Sequence, residues 1–445
     1  MYNLKDNIVA LATIPGKGAL NVVRVSGPNQ LSLIFKLLTT KKRLPRPNFS
    51  HPHYVYSKKG VVDQCIITYY KGPKSYTGEN MLELSTHGGC VIANQIIEVV
   101  INSNARLAFP GEFTYRAFIN NKINLIQAEA INGAIHSENS LDSHYQINNL
   151  KGGLSDIIEN IYKKIKNLLV LAEHELDFME GEITFTKSNE YLKRLALITK
   201  KIDGVIKFSC YENYKDLPRV VIVGRPNAGK SSLFNNIVGY NRAIVTDIKG
   251  TTRDVIEAKL NLNGNNIVLM DTAGMRTTKD KIEKLGIKKT TGEIELADFI
   301  LVVDEEKPKE IIKTMKKTNP RAEWIGVLNK TDLKKKFSLQ SDFQISCTKN
   351  SGIEKLLTVL STKITGAYKK NYKNNRYLIN ERQLVLIKQT QGLVKEARQS
   401  YKTNKDLVIL SFNLRRALMG LDDMLGPTEN RDILNEIFGG FCVGK

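Results

Sequence analysis

A glycine-rich segment, GRPNAGKSS at residues 224–232, has the residue types and spacing of a phosphate-binding loop. It fits the pattern G-x-x-x-x-G-K-S, with the strand-like run RVVIV before it and the helix-like run SLFNNIVG after it. In such a loop, main-chain N–H groups surround the β-phosphate at the N-terminus of a helix. Lys230 would reach the β- and γ-phosphate oxygens, and Ser231 would bind Mg²⁺. The predicted nucleotide contacts in this loop are Asn227, Ala228, Gly229, Lys230, Ser231 and Ser232.

A second motif, Asn329-Lys330-Thr331-Asp332, ends the strand-like run WIGVLN. A carboxylate at Asp332 can accept hydrogen bonds from both N1–H and N2–H₂ of guanine, a pair of donors that adenine does not offer. The motif stands at a strand end, which is where a doubly wound sheet binds its ligand. Ser346 follows the next short strand and is expected to line the base pocket. We therefore predict a guanine nucleotide, contacted by Asn329, Lys330, Asp332 and Ser346.

Two further segments, TDIKGTTRD at 246–254 and DTAG at 271–274, are typical of GTPase switch regions. Thr252 would bind Mg²⁺ and the γ-phosphate, Asp271 would lie near the metal, and the Gly274 N–H would donate to the γ-phosphate. The predicted nucleotide contacts in these segments are Thr246, Asp247, Ile248, Lys249, Gly250, Thr251, Thr252, Asp271, Thr272, Ala273 and Gly274.

The residue after DTAG is Met275, whereas signalling GTPases carry a glutamine nearby that orients the attacking water. A thioether can neither orient nor deprotonate water. Either GTP hydrolysis is slow in this chain, or its catalytic groups come from elsewhere.

Four stretches of different hydrophobic pattern predict the domain organisation. Residues 1–120 alternate apolar stretches with helix-like segments and read as a small α/β domain, and 121–212 repeat apolar residues at helical spacing. Residues 213–368 contain short buried-strand runs separated by helix-length segments, which indicates a doubly wound, mostly parallel sheet. The helical pattern resumes over 369–445. We therefore predict a multidomain fold in which a Ras-like P-loop α/β domain is inserted into one discontinuous helical domain.

The composition is that of a globular protein, with 42% hydrophobic and 25% charged residues. No run of 18 apolar residues is present, and the N-terminus lacks signal-peptide features, so we expect a cytoplasmic protein without a membrane span. The five cysteines form no C-x-x-C and predict neither disulfides nor a zinc site. A formal charge of +21 favours a polyanion such as RNA as partner, but lysine is abundant throughout, which is equally consistent with a general compositional bias.

Taken together, the motifs resemble one family, the bacterial tRNA-modification GTPases called MnmE or TrmE, within the TrmE-Era-EngA-YihA-Septin-like superfamily. The shared GTPase signatures are GRPNAGKSSLFN, AIVTDIKGTTRD and DTAGMR. The more specific signatures are SYTGENMLEL…HGG (75–89), PGEFTYRAFINNKINLIQAEA (110–130) and FCVGK (441–445). Asn124 departs from the family pattern, which commonly has aspartate there.

The resemblance implies an answer to the missing glutamine. The family uses K⁺ near the phosphates, where its charge replaces that of an arginine finger. By position, the Asn227 side chain, the carbonyls of Thr246 and Ile248, and Thr251 would ligate K⁺; such oxygens suit a monovalent cation.

The resemblance also assigns water activation to Glu283, which by its sequence context alone is an ordinary solvated helix charge. Arg253 and Arg276 are the other charges expected near the phosphates, or else salt-bridge partners that hold the switches.

For the N-terminal domain the resemblance implies homodimerisation and binding of 5-formyl-tetrahydrofolate or methylene-tetrahydrofolate. The adjacent N–H donors of a pterin suit a carboxylate, and the anionic folate tail suits basic groups. By family position the cofactor would contact Arg24, Glu83, Lys122 and Lys445, and Cys442 is a candidate for the modification chemistry.

The function implied is modification of the wobble uridine (U34) of certain tRNAs to the 5-carboxymethylaminomethyl or 5-aminomethyl form. The implied partners are tRNA and a flavin-dependent MnmG (GidA)-type protein, in a heterotetramer or larger complex, without a membrane. An alternative is a GTP-regulated RNA-binding or ribosome-assembly switch without modifying activity, although no second RNA-binding module is evident. A membrane-remodelling GTPase would need an amphipathic insertion segment, and none is a good candidate.

Overall fold

The computed structural model describes residues 3–28, 31–178, 186–211, 217–240, 256–271, 292–333, 341–372, 376–426, 434 and 437–444. The chain divides into two compact units. Unit 1 comprises Met1–Ile135, Tyr145–Ser209 and Arg376–Lys445, and unit 2 comprises His136–His144 and Cys210–Asn375.

The first part of unit 1 is a six-stranded sheet with two helices on one face. Its strands are β1 (Asn7–Leu11), β2 (Leu20–Gly27), β3 (Ser50–Ser57), β4 (Gly60–Tyr70), β5 (Asn80–His87) and β6 (Ala105–Leu107), in the order β3-β4-β5-β2-β1-β6. All neighbours are antiparallel except β1 and β6. The helices are α1 (Leu31–Thr39) and α2 (Cys90–Ile101). Because strand side chains alternate between faces, Val23 and Val25 of β2 enter the core beneath these helices while Arg24 projects from the other face.

A series of helices follows this sheet: α3 (Glu112–Ile119), α4 (Leu125–Ile135), α5 (Ser140–Leu150), α6 (Ser155–Leu176) and α7 (Ser188–Lys207). Asn124 begins α4 with a reciprocal cap. Its Oδ1 accepts from the Gln127 N–H at 3.0 Å, and the Gln127 Oε1 accepts from the Asn124 N–H at 3.0 Å. Asparagine and aspartate are equally good at this position, so the departure from the family pattern leaves the helix start intact.

Unit 2 contains a second six-stranded sheet. After β7 (Ser209–Tyr211), its strands are β8 (Arg219–Gly224), β9 (Ile256–Leu262), β10 (Asn265–Asp271), β11 (Phe299–Asp304), β12 (Glu323–Leu328) and β13 (Phe343–Gln344). The order is β13-β12-β11-β8-β10-β9, parallel except for the edge strand β9. Its helices are α8 (Lys230–Tyr240), α9 (Pro308–Met315) and α10 (Ile353–Tyr372). The predicted mostly parallel, doubly wound sheet is confirmed.

The chain then returns to unit 1 with β14 (Tyr377–Ile379), α11 (Glu381–Asn404) and α12 (Leu407–Leu425). The two long helices pack against each other, and they also pack on α6 and α7 from the earlier part of the chain. Asn380 and Asp406 cap their N-termini through side-chain oxygens. The helical segments before and after unit 2 therefore share one bundle. Within the described residues, every helix is too short or too polar to cross a bilayer.

Candidate functional site

The phosphate-binding loop follows the central strand β8 and leads directly into α8. Its last glycine, Gly229, has φ +90° and lies against Asn329, so that a Cβ there would stand 2.2 Å from the Asn329 Nδ2 atom. That amide in turn donates to the Ala228 carbonyl at 3.0 Å. The glycine is required both by its backbone conformation and by this close approach. The loop is therefore held by the asparagine of the second nucleotide motif.

Lys230, the first residue of α8, turns its ammonium back into the loop. Its Nζ atom donates to the carbonyls of Gly224 at 3.1 Å and Arg225 at 2.9 Å. Burial lowers the pKa of Lys230, and the charge of Asp271 opposes that shift. Asp271 is fully buried at the end of β10, which pairs with β8. Phosphate oxygens in the loop would supply the negative charge that a half-buried ammonium favours.

The predicted base pocket forms where β12 and β13 end. The Ser346 hydroxyl donates to Asp332 Oδ1 at 2.6 Å, and this hydrogen bond is the main reason why the pKa of Asp332 is lowered. Asn329 is buried, and its Oδ1 accepts from the Cys347 N–H at 3.3 Å. Asp332 is thus held as a carboxylate, the acceptor-only form that the two guanine donors require.

Of the predicted nucleotide contacts, the structure brings together the loop residues 227–232, Asp271, Asn329, Lys330, Asp332 and Ser346 at one edge of the sheet. Ser231 is exposed at the start of α8, a position suited to a metal-bound hydroxyl. Lys330 differs in one respect, because its ammonium is paired with Glu305. The predicted residues that lie outside the described part of the chain are Thr246, Asp247, Ile248, Lys249, Gly250, Thr251, Thr252, Thr272, Ala273, Gly274, Glu283 and Lys445, with Arg253, Met275 and Arg276.

In unit 1, the predicted one-carbon residues Arg24 and Glu83 stand directly opposite each other on β2 and β5. The Arg24 Nε and Nη2 atoms lie 2.9 and 2.8 Å from Glu83 Oε1. The Tyr70 hydroxyl donates to Glu83 Oε2 at 3.2 Å, and burial followed by the Glu83 charge raises the pKa of Tyr70. The ion pair is only partly buried, so its carboxylate remains accessible at the sheet face.

The C-terminal tail reaches this pair. Arg24 Nη1 donates to the Gly444 carbonyl at 3.0 Å, across 420 residues of sequence. Gly444 has φ +92°, and a Cβ there would lie 2.7 Å from the Leu11 carbonyl oxygen. Phe438 and Phe441 anchor the tail in an aromatic cluster with Tyr115 and Phe118 of α3 and with Leu125, Ala128, Ile131 and Leu434.

Cys442 is exposed, and its carbonyl accepts from the Gly111 N–H at 3.5 Å. The structure therefore brings Gly444, two residues after Cys442, to the Arg24–Glu83 pair. The Lys122 ammonium instead donates a hydrogen bond to the Pro73 carbonyl at 3.0 Å. Pro73 lies in the loop between β4 and β5, which also carries Tyr76, a neighbour of Arg24.

Sequence reasoning missed the aromatic residues of this site. The rings of Tyr76 and Phe113 have centroids 5.4 and 5.7 Å from the Arg24 Cζ atom. Both lie inside segments that carry the family resemblance, SYTGEN and PGEFTYR, which was the available signal. Their flat faces suit a heteroaromatic ring as well as a guanidinium.

A buried ion network beneath the same loop was also missed. The fully buried Arg116 donates to Glu79 Oε2 at 2.9 Å and to Glu112 Oε1 at 2.9 Å, and Glu79 also accepts from Ser26 at 2.8 Å. Burial alone would raise the pKa of Glu112, but hydrogen bonds from Arg106, the Phe109 N–H and Arg116 lower it overall. The network fixes the Tyr76 loop to β2, the strand that carries Arg24.

Comparisons with known proteins agree with this arrangement. The family model described as "GTP-binding protein TrmE N-terminus" matches residues 7–122, and "MnmE helical domain" matches residues 125–442. A protein called tRNA modification GTPase MnmE from Thermotoga petrophila is 36% identical over 99% of this chain and 100% of its own length. Proteins of the same name from Aquifex aeolicus (35%, covering 99% and 100%) and Endomicrobium trichonymphae (36%, covering 100% and 100%) are similarly related.

Among solved structures, the match to the G domain of the T. maritima FeoB iron transporter covers 33% of this chain and 98% of that chain, at 20% identity and a TM-score of 0.26. The phosphate loop, the guanine-type pocket and the parallel sheet define a P-loop GTPase whose G domain is combined with a TrmE-type N-terminal domain and a helical domain. The chain belongs to the MnmE family of tRNA modification GTPases.

Proposed function

We propose that this chain is a K⁺-dependent, homodimeric GTPase which, with a flavin-dependent MnmG (GidA)-type protein, modifies the wobble uridine (U34) of certain tRNAs. The product would be the 5-carboxymethylaminomethyl or 5-aminomethyl form, built with a one-carbon unit from 5-formyl- or methylene-tetrahydrofolate. The observation that carries the proposal is the hydrogen bond from Arg24 to the Gly444 carbonyl, which joins the cysteine-bearing tail to the Arg24–Glu83 pair.

Within the nucleotide site, each described residue has a definable role. Lys230 would stabilise negative charge on the β- and γ-phosphate oxygens, because its ammonium already lies inside the loop. Asp332, held as a carboxylate by Ser346, would accept the two guanine N–H donors.

Ser231 and Asp271 suit Mg²⁺ in donor type, since both offer oxygen ligands. Asn227, exposed in the loop at φ +62°, offers the amide oxygen proposed for K⁺.

Within the one-carbon site, the residues fit a reduced pterin. Glu83 can accept only, which suits adjacent ring N–H donors, and Arg24 orients that carboxylate through two hydrogen-bonding atoms. Tyr76 and Phe113 would cover an aromatic face. A bound tetrahydrofolate would supply the one-carbon unit, and the exposed Cys442 is the candidate side chain of the adjoining tail for the modification chemistry. The proposed dimer contact through the N-terminal domains is consistent with the exposed apolar side chains Tyr54 and Ile66 on the sheet.

GTP turnover in matched KCl and NaCl, at concentrations on the order of 100 mM, tests the catalytic half of the proposal. We expect a large acceleration in K⁺ that is lost in Glu283→Ala, because a bound cation and this glutamate would replace the missing glutamine. Glu295→Ala, which alters an exposed glutamate of the same unit, is the matched control and should keep the K⁺ response.

Equal, slow rates in both salts would contradict K⁺-dependent catalysis and favour a GTP-regulated RNA-binding switch without modifying activity. Formation of modified U34 in a reconstitution with tRNA, GTP, 5-formyl- or methylene-tetrahydrofolate, glycine or ammonium as the nitrogen source, and the flavoprotein then separates the two functions, because a switch yields no modified nucleoside.

A further inference from the structure

The N-terminal domain has an unusually one-sided charge. Between residues 7 and 62 the sequence contains nine lysines and arginines and no aspartate or glutamate. Elsewhere acidic residues are plentiful, with 45 in the whole chain. A general excess of lysine explains abundant positive charge, but it does not explain the complete loss of acidic residues from one stretch. Such a concentration of one sign creates a strong local field that attracts polyanions.

The structure gathers part of this charge around one cavity. The cavity has a volume of about 710 Å³ and lies where the segment after α1 meets the edge strand β3. It is lined by Lys41, Lys42, Arg43, His51 and His53, together with two prolines. We call it the basic cavity. No carboxylate lines it, and among the described residues the three cations Lys41, Lys42 and Arg43 form no ion pair.

The surroundings of His53, which lines the cavity, show that positive charge is concentrated there. Its Nε2 atom is buried and has no hydrogen-bond partner among the described residues, while its ring packs edge-on against Phe35 at 5.2 Å. Burial lowers the pKa of His53, and the positive charges of His51 and Lys41 lower it further. A phosphate group in the cavity would neutralise the positive charge that surrounds this ring.

We propose that the basic cavity binds the phosphodiester backbone of RNA and so contributes to docking of the tRNA substrate. This inference rests on the proposed tRNA-modifying function. Compact ammonium groups and a guanidinium suit phosphate oxygens, and exposed lysines next to a cavity supply sequence-independent affinity. Backbone contacts of this kind fix the register of a nucleic acid without reading its sequence.

The position of the cavity defines its role. His51, His53 and the core residue Val55 share the helix-covered face of β3, whereas Arg24 and Glu83 project from the opposite face of the same sheet. The basic cavity therefore does not belong to the one-carbon site. It would hold a part of the tRNA remote from the modified base.

The experiment measures tRNA affinity of the full-length protein by fluorescence anisotropy at several KCl concentrations. The test variant is Lys41→Gln/Lys42→Gln. The matched control is Lys58→Gln/Lys59→Gln, which removes the same charge from the exposed turn between β3 and β4. That turn is roughly 20 Å along β3 from the cavity at about 3.3 Å per residue. GTP turnover in KCl and the thermal melting curve are recorded for each protein.

We expect the test variant to bind tRNA at least about tenfold more weakly, and the slope of log affinity against log salt to fall by up to about 2. The control variant should stay within twofold of the unmodified protein, and GTP turnover should be unchanged in both. Equal losses in the two variants would show general charge attraction and overturn the proposal. Unchanged tRNA affinity with lost binding of the flavoprotein would overturn it in favour of an acidic protein partner.

Failure of the proposed function is distinguishable from these outcomes. It would appear as an absence of K⁺-stimulated GTP turnover or of U34 modification by the unmodified protein, in which Lys41 and Lys42 are intact. No tRNA binding by the unmodified protein would overturn the assignment of the basic cavity.

Discussion

The two sites of this protein are assembled in different ways. In the nucleotide site, the functional groups stand in loops that each follow a buried parallel strand, and a single asparagine, Asn329, ties two of these loops together. In the one-carbon site, Arg24 and Glu83 project from the middle of antiparallel strands, and a tail from the far end of the chain completes the arrangement. The first site is built from short motifs that a tertiary contact joins, whereas the second consists of single residues that only tertiary contacts bring together.

This difference has an energetic consequence. A loop–helix segment carries its phosphate-binding geometry in its own backbone, so single substitutions there should affect chemistry directly. The one-carbon site depends on the buried Arg116 network, the aromatic anchors of the tail and the conformation of Gly444. Its substitutions should mainly change cofactor affinity, and they should leave GTP turnover without tRNA unaffected.

The largest expected effect is on turnover in the nucleotide site. Lys230→Ala should lower kcat for GTP by roughly 100- to 1000-fold, because it removes a donor aimed at developing phosphate charge. Phosphate release assays measure this, with the exposed Lys317→Ala as control. If the variant kept half of the normal rate, Lys230 would not be a catalytic residue.

The second-largest effect is expected for Asp332→Asn, which should change the preference of the site among nucleotide bases. The loss of charge-assisted hydrogen bonds, each worth about 1.5–3 kcal/mol, predicts roughly 100-fold weaker binding of guanosine diphosphate. An amide can donate to a xanthine carbonyl, so xanthosine diphosphate should bind better than before. Calorimetry with both nucleotides tests this, with Glu306→Gln as the exposed control. Equal loss for both nucleotides would indicate a folding defect and contradict base reading.

Glu83→Gln makes the corresponding test in the one-carbon site. The amide retains the shape but loses the acceptor-only carboxylate, so affinity for 5-formyl-tetrahydrofolate should fall by about tenfold. GTP turnover without tRNA should stay the same. Equilibrium dialysis gives the affinity, and the exposed Glu98→Gln on α2 provides the control. Undiminished folate binding would place the pterin elsewhere.

The smallest effect is expected in the tail. Gly444→Ala forces a Cβ into the left-handed region and against the Leu11 carbonyl, at a cost of about 1–2 kcal/mol for the tail conformation. Folate affinity should fall a few-fold, with an unchanged melting temperature. Gly439→Ala is the matched control, because nothing lies within 4 Å of its Cβ position. Identical behaviour of the two variants would mean that the tail does not contribute to the site.

Several features could be predicted from sequence because they are local. The phosphate loop, the guanine motif and the parallel sheet all follow from strand–loop–helix patterns read within short windows. The role of Asn124 is local as well, because it caps the N-terminus of α4 as aspartate would. Arg24, Glu83 and Cys442 were found only through the family resemblance, because isolated charges and a lone cysteine carry no periodic signal.

The sequence by itself determined the nucleotide type, the order of the elements and the family, since each depends on residue types at fixed spacing along the chain. Only the tertiary structure decided that Gly444 meets Arg24, that Tyr76 and Phe113 flank the same guanidinium, and that the cations after α1 surround a cavity with His53. These contacts join residues far apart in sequence. Their closeness results from sheet register and helix packing, which no short pattern encodes.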